Sequence, residues 1–203
     1  MKYLSFDIEA TGLEEDDLII EFGMVPFCTE EMEIHTPLQK NFHIKCPSFD
    51  QLRPRLTDWV IEHNKELIVK SHREGLEMSE FKAELETYLT SAPVRAYFGL
   101  EQGQHIVLFG KSMSSIDLPF LNRDLGWDFM RRHFHHRNLD LSSAVTGYID
   151  MGILPLESAS GTELMNFLGM GEVAHTALED AVNTADIYLR LLEMFRDKTS
   201  ASV

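Results

Sequence analysis

Tyr3-Leu4-Ser5-Phe6-Asp7-Ile8-Glu9 alternates in character, with Leu4, Phe6 and Ile8 on one side and Tyr3, Ser5, Asp7 and Glu9 on the other. A period of two is the mark of a β-strand. Thr11-Gly12 ends it, and two further runs follow, Leu18 to Phe27 (LIIEFGMVPF) and Phe42 to Lys45. Both are apolar and β-branched or aromatic, with turn residues between them, so the opening segment reads as a meander.

From Pro54 the period lengthens. Leu56, Trp59, Val60, His63 and Leu67 recur at three and four, as do Phe81, Leu85, Tyr88 and Leu89, which predicts two helices. Trp59 and Phe81 sit at core spacing, so packing is their expected role. Ile106 to Phe109 is a short apolar strand followed by a helix from near Ser115, and Asn138 to Leu141 is another short strand. Glu163 to Leu168 reads as a brief helix closed by Gly169. Ala177 to Arg196 is the longest helix, striped by Leu178, Ala181, Val182, Ala185, Leu189 and Leu192. Strands and helices mixed in this way predict an α/β domain with helices on both faces of one sheet. No repeat or low-complexity linker interrupts it. The expected organisation is one domain over 1–198, with a helical insert around 54–90 and a frayed tail at 199–203.

Of the 203 residues 44% are hydrophobic and 25% charged, which excludes disordered and collagen-like classes. Cys28 and Cys46 have no zinc or redox spacing, and no apolar run matches a signal peptide or membrane span, so a cytoplasmic protein with no membrane partner is expected. The net charge of −15 argues against a large interface tracking duplex phosphates. It leaves room for short or single-stranded nucleic acid, because charges are screened beyond about 8 Å and a local basic patch or bound divalent cations can act. The acidic runs Glu14 to Asp17 and Glu30, Glu31 and Glu33 read as solvated loop faces.

Chemistry concentrates in three separate places. Asp7 and Glu9 project from one face of the first strand at its carboxyl end, where α/β sheets present their ligand crevice. A lone D-x-E is ordinarily just a polar strand face, but here it ends an apolar strand that should be central. In HTALEDA, His175 to Ala181, Thr176 and Glu179 form a capping box. Thr176 is then the N-cap, Asp180 lies in the first helical turn, and His175 falls beside it; the bland reading is a surface histidine near an ordinary first-turn acid. Asp117 lies early in a helix after a buried strand, a common place for a dipole partner.

Taken together these acids have one economical explanation. Two carboxylates 4 Å apart repel by about 4 kcal/mol at an effective dielectric of 20, so gathering Asp7, Glu9, Asp117 and Asp180 in one crevice requires cations. Hard oxygen ligands select Mg²⁺ or Mn²⁺. Two such ions about 3.5 to 4 Å apart stabilise the attacking and leaving oxygens of a displacement at phosphorus, and His175 is suited to take the proton from the attacking water.

FDIEATGL (Phe6 to Leu13), the Asp of SIDLPFL (Ser115 to Leu121) and HTALEDAVNTADIYLRLL (His175 to Leu192) resemble the three motifs of the DEDD-superfamily exonucleases. They are most similar to the His-bearing DEDDh branch of proofreading subunits and related 3′-to-5′ exonucleases. The resemblance spans nearly the whole chain. It implies an RNase H-like fold with a five-stranded mixed sheet, and release of nucleoside 5′-monophosphates from a free 3′ end with two Mg²⁺ or Mn²⁺ ions. It implies Asp7, Glu9 and Asp180 as ligands of the first metal, with Asp7 bridging to a second that Asp117 helps to hold, directly or through water. His175 matches the general base. Thr11 and Leu13 fall where the family meets the terminal nucleotide, although Thr-Gly-Leu is also ordinary strand-ending chemistry.

Two departures stand out. The second motif usually has Asn or His shortly after its Gly and an aromatic residue before its Asp, whereas GKSMSSID has Ile116 there and one extra residue. Motif one has Ala10 where Thr is frequent. HFHHRNLDLSS, His133 to Ser143, is similar to a stretch of the oligoribonucleases, which degrade very short RNA as dimers. Arg131, Arg132, His133, His135, His136 and Arg137 would then supply a phosphate-facing patch, against the plainer reading of a solvated loop. Three functions follow: a 3′-to-5′ exonuclease on single-stranded DNA or RNA ends, an oligoribonuclease-like homodimer, or a degenerate nucleic-acid or polymerase-binding module. The intact acidic set argues against the last.

Overall fold

A computed structural model of the chain describes residues 1–100, 104–171 and 176–200, the last four by backbone alone. The first half carries β1 (Lys2–Ala10), β2 (Ile19–Cys28), β3 (Glu33–Ile34) and β4 (Lys40–His43). Helices α1 (Phe49–Leu52), α2 (Asp58–His63), α3 (Lys65–Glu74), α4 (Met78–Thr90) and α5 (Ala92–Phe98) follow. Then come β5 (Leu108–Gly110), α6 (Asp117–Leu125), α7 (Trp127–His133), β6 (Leu139–Asp140), α8 (Leu141–Asp150), α9 (Gly161–Phe167) and α10 (Ala177–Ser200).

The sheet runs β3-β2-β1-β5-β6, with β4 also paired to β2. β1 lies antiparallel to β2 and parallel to β5, and β5 is parallel to β6. This is the expected mixed sheet. Its sixth strand is the two-residue β3, too short to show a period. β1 is central, so the carboxyl ends of β1 and β5 point the same way and open one crevice.

The alternation of β1 divides the core as its pattern requires. Leu4, Phe6 and Ile8 pack with Phe22, Phe81 and Leu85 of β2 and α4 and with Phe120 and Leu121 of α6. Tyr3, on the opposite face, packs with Phe27, Phe109, Leu141, Leu164 and Leu189. Helices therefore cover both faces. β2 buries all ten of its residues, because α10 lies on one side of it and α3 on the other, which is why its sequence is a continuous apolar run.

The start of α10 lies directly on β2. A Cβ at Gly23 would come within 2.1 Å of the Leu178 amide nitrogen and 2.3 Å of the Ala177 carbonyl carbon, so only glycine lets the helix start lie on the strand. On the same face Ser5 donates a 2.6 Å hydrogen bond to the Ala181 carbonyl.

Several expectations are corrected. The segment from Pro54 holds α2, α3 and α4 rather than two helices, because Asn64 interrupts the first. Its buried amide donates to Glu9 Oε2 at 3.1 Å and to the Ala10 carbonyl at 3.3 Å, and this tertiary bond outweighs helix continuity. Phe81 is fully buried as expected, but Trp59 is 55% exposed and stacks on His63 with centroids 4.4 Å apart. Val60 and Ile68 take the inward places. β4 begins and ends two residues before the expected Phe42 to Lys45. α6 starts at Asp117 rather than near Ser115, since a turn from Ser115 N to the Ser112 carbonyl, 3.1 Å, takes up those residues.

Asp17 is not a solvated loop residue either. It is 5% exposed and accepts from Thr11 Oγ1 at 2.8 Å, from the Glu14 amide at 2.9 Å and from Arg55 at 3.1 Å. No helix among the described residues is long and apolar enough to cross a membrane.

Candidate active site

Three of the four acids come together as a tight group. Carboxylate oxygens of Asp7, Glu9 and Asp180 lie within 4.8 Å of one another. The period of the strand puts the first two on the α10 face, and α10, seated against Gly23, brings its first turn over them. Asp117 is outside this tight triple but adjoins it: its Oδ1 accepts from the Ile8 amide at 3.1 Å, between the two strand acids. Its own placement follows from parallel pairing of β5 with β1, Leu4 opposite Leu108, which delivers the chain leaving β5 to the end of β1.

The electrostatics match the geometry. Burial raises the Asp7 pKa well above the usual carboxylate range, and the charges of Asp117, Asp180 and Glu9 raise it further, while Lys111 acts in the opposite direction. Burial, opposed by the Asn64 hydrogen bond and reinforced by Asp180 and Glu21, brings Glu9 up to about 7. Asp117 is also pushed up to about 7, by burial first, against the Ile8 hydrogen bond. Buried acids that suppress one another's ionisation fit a site that takes a cation. Among the described residues the donor set is hard oxygen only, which fits Mg²⁺ or Mn²⁺.

Thr176 caps α10 as its sequence suggested, accepting from the Glu179 amide at 3.3 Å and donating to the Glu179 carboxylate at 2.6 Å. His175 lies outside the described residues. Thr11 is 1% exposed, and its hydroxyl is held between Asp17 and the Leu18 amide at 2.8 and 2.9 Å, so its side chain fixes the turn. Leu13 stands 73% exposed beyond that turn.

Sequence reasoning passed over four residues that organise the site. Glu21, 1% exposed, accepts from the Ala177 amide at 3.0 Å and from Asn41 at 2.6 Å, anchoring the start of the helix that bears Asp180. Its signal was visible: a single charge within a wholly apolar strand. Asn64 holds Glu9. Asp140 caps α8 through the Ser143 amide at 3.2 Å, accepts from Ser112 N at 3.2 Å and adds its charge to the field on Asp117. The fourth is Lys111, which lines the cleft beside Asp7 and Asp180.

Within GKSMSSID the chain turns at Ser112, whose φ of +55° is left-handed. The basic stretch from Arg131 to Arg137 is partly committed. Arg132 pairs with Glu86 at 3.1 Å, and the His133 ring lies 3.4 Å from the same carboxylate, burial lowering its pKa. Arg131 lies over the Trp127 ring at 5.8 Å.

No family model matches the sequence. No curated protein matches it. Solved structures match its fold. Cell-death related nuclease 4 has a TM-score of 0.70 at 18% identity, covering 95% of this chain and 64% of that one. The nuclease domain of 3′hExo, a DEDDh family member bound to rAMP, gives 0.66 at 18% identity, covering 95% and 92%. E. coli exonuclease I in complex with a dT13 oligonucleotide gives 0.66 at 14% identity, covering 99% of this chain and 43% of that one. The chain thus spans under two thirds of the first and under half of the third. The likeness establishes the RNase H-like exonuclease fold.

Proposed function

We propose that the chain is a divalent-cation-dependent 3′-to-5′ exonuclease that releases nucleoside 5′-monophosphates from single-stranded DNA or RNA ends. The observation that carries this is the gathering of Asp7, Glu9 and Asp180 within 4.8 Å, with Asp117 bonded between the two strand acids, in a fold shared with exonucleases. A degenerate binding module would have no use for a cluster that costs several kcal/mol in mutual repulsion.

Asp7, Glu9 and Asp180 would hold the first ion, and Asp7 with Asp117 a second. Magnesium or manganese would supply positive charge that neutralises the phosphodiester and stabilises charge developing in the transition state. Asn64 orients Glu9, and Glu21 fixes the height of α10 so that Asp180 meets the strand acids. His175, two residues before α10, takes the proton of the attacking water as its oxygen bonds to phosphorus. The P–O3′ bond then breaks, and the leaving 3′ oxygen takes a proton from solvent. A terminal nucleotide would lie over the Thr11-Gly12-Leu13 turn, with Leu13 exposed to meet its base. A cytoplasmic location belongs to the same proposal and accords with the free thiols of Cys28 and Cys46, both buried.

The test is a panel of 5′-labelled DNA and RNA oligomers of graded length, with Mn²⁺ and with chelator. A metal-dependent ladder shortening from the 3′ side is expected, and persistent inertness with bound strand would overturn the reading in favour of a binding module. A dimeric mass in solution with a marked preference for dinucleotides would instead establish the oligoribonuclease-like form.

A further inference from the structure

A cleft of about 600 Å³ opens beside the acids, between α8, α9 and α10. It is in the size range that takes a nucleotide, roughly 300 to 1,000 Å³. Its lining includes Asp7 and Asp180, the apolar Leu141 and Ile187, and Lys111 and Ser158.

Among the described residues Lys111 is the one cation lining this cleft, and it has no carboxylate within 4.0 Å. The fold makes room for it. A Cβ at Gly161 would lie 2.4 Å from Lys111 Nζ, so the missing side chain is what seats the ammonium group. The left-handed Ser112 turns the chain immediately after it, a conformation held by Asp140 and by a 2.8 Å contact with Ser142 Oγ. Ser158 gives an independent sign of a ligand: it is 2% exposed, and its Oγ has no hydrogen-bond partner. Buried hydroxyls ordinarily find one.

We propose that this cleft is a second nucleotide subsite, in which Lys111 holds the phosphodiester one step to the 5′ side of the bond placed over Asp7 and Asp180. The proposal rests on the exonuclease reading for which bond is cut. The terminal nucleotide carries only the scissile phosphate, so the next negative charge along the strand belongs to the penultimate nucleotide. A chain with net charge −15 must draw phosphate affinity from local cations, and Lys111 is the cation stationed beside the acids.

Two dinucleotides that differ only in a 5′-phosphate isolate this group. The wild type should show about tenfold lower KM for the phosphorylated one at similar kcat. Lys111→Met should erase that difference, Lys111→Arg should keep it, and Gly161→Ala, which displaces the ammonium, should reduce it. If Lys111→Met slows both dinucleotides equally, Lys111 acts at the scissile bond and the subsite is overturned. A second readout is independent of turnover: fluorescence anisotropy of a 5′-phosphorylated oligomer in chelator, as salt is varied. Loss of one phosphate contact lowers the slope of log K against log salt by about 0.7 for a single strand. A wild type inert on every substrate, whose slope still falls on Lys111→Met, would sink the exonuclease reading and leave the subsite standing. An unchanged slope would sink the subsite.

Discussion

Removing divalent cations should make this protein's stability fall as the pH rises from 5 to 8. Glu9 titrates at about 7 in the folded chain against an ordinary value of 4.5. A raised folded pKa means that the folded state binds the proton more tightly than the unfolded one. The stability so gained is complete below about 4.5, is lost as the pH climbs through 7, and is constant above it. At about 1.4 kcal/mol per pKa unit, the Glu9 shift corresponds to roughly 3 kcal/mol. Asp117, also brought to about 7, titrates with its neighbours rather than alone, so its share is not simply added.

For a chain of this size 3 kcal/mol is about 6–12 °C in Tm. Differential scanning fluorimetry in chelator at pH 5, 6, 7 and 8 measures it, and Glu9→Gln separates the site from the general repulsion of an acidic surface. The variant should flatten the profile. Saturating Mn²⁺ should restore most of the loss at pH 8 and do little at pH 5, where protons already occupy the cluster. An equal rise with Mn²⁺ at both pH values, or a Glu9→Gln profile parallel to the wild type, would show that the acids are not a mutually destabilised cluster.

Three further outcomes follow from named contacts. His175→Ala should lower kcat by about 10²- to 10⁴-fold while calorimetric Mn²⁺ affinity stays the same, and unchanged turnover would remove His175 as the base. Glu21→Ala strands the buried Ala177 amide and should cost about 2 kcal/mol, some 4–8 °C in Tm, whereas Glu21→Gln, which keeps an acceptor, should lose less. Asp17→Ala releases Thr11, the Glu14 amide and Arg55 together and should cost about 2 kcal/mol in chemical denaturation; a surface-like change under 0.5 kcal/mol would contradict its burial.

The features legible in the sequence were those with a local period or a local cap. The alternation of Tyr3 to Glu9 placed Asp7 and Glu9 on one face, and Thr176 with Glu179 fixed where α10 starts, hence where Asp180 points. The residues missed make their contacts far along the chain. Asn64 reaches Glu9 across 55 positions, and Glu21 reaches Ala177 across 156. Neither partner can be read from a short window, although Glu21 itself stands out as a lone charge in an apolar strand. Asn64 even erases one, by breaking a helix whose apolar spacing continues past it. Trp59 shows the converse: its spacing fits a core stripe, but the helix is cut before that stripe is used, and the ring stays outside on His63. Lys111 stands in a stretch that departs from the motif it resembles in both residues and length, and only folding places it in the cleft beside Asp7.

The seat of α10 on Gly23 has a consequence for how this molecule tolerates change. Asp7 lies opposite Gly23 in the β1–β2 register, and Glu9 opposite Glu21, so the gap between strand acids and helix acid is set by main chain resting on main chain. Methyl groups can come and go in the two apolar layers without passing that tolerance on to the carboxylates. Sequences can therefore drift widely around an unmoved cluster of acids, provided one strand keeps its bare position.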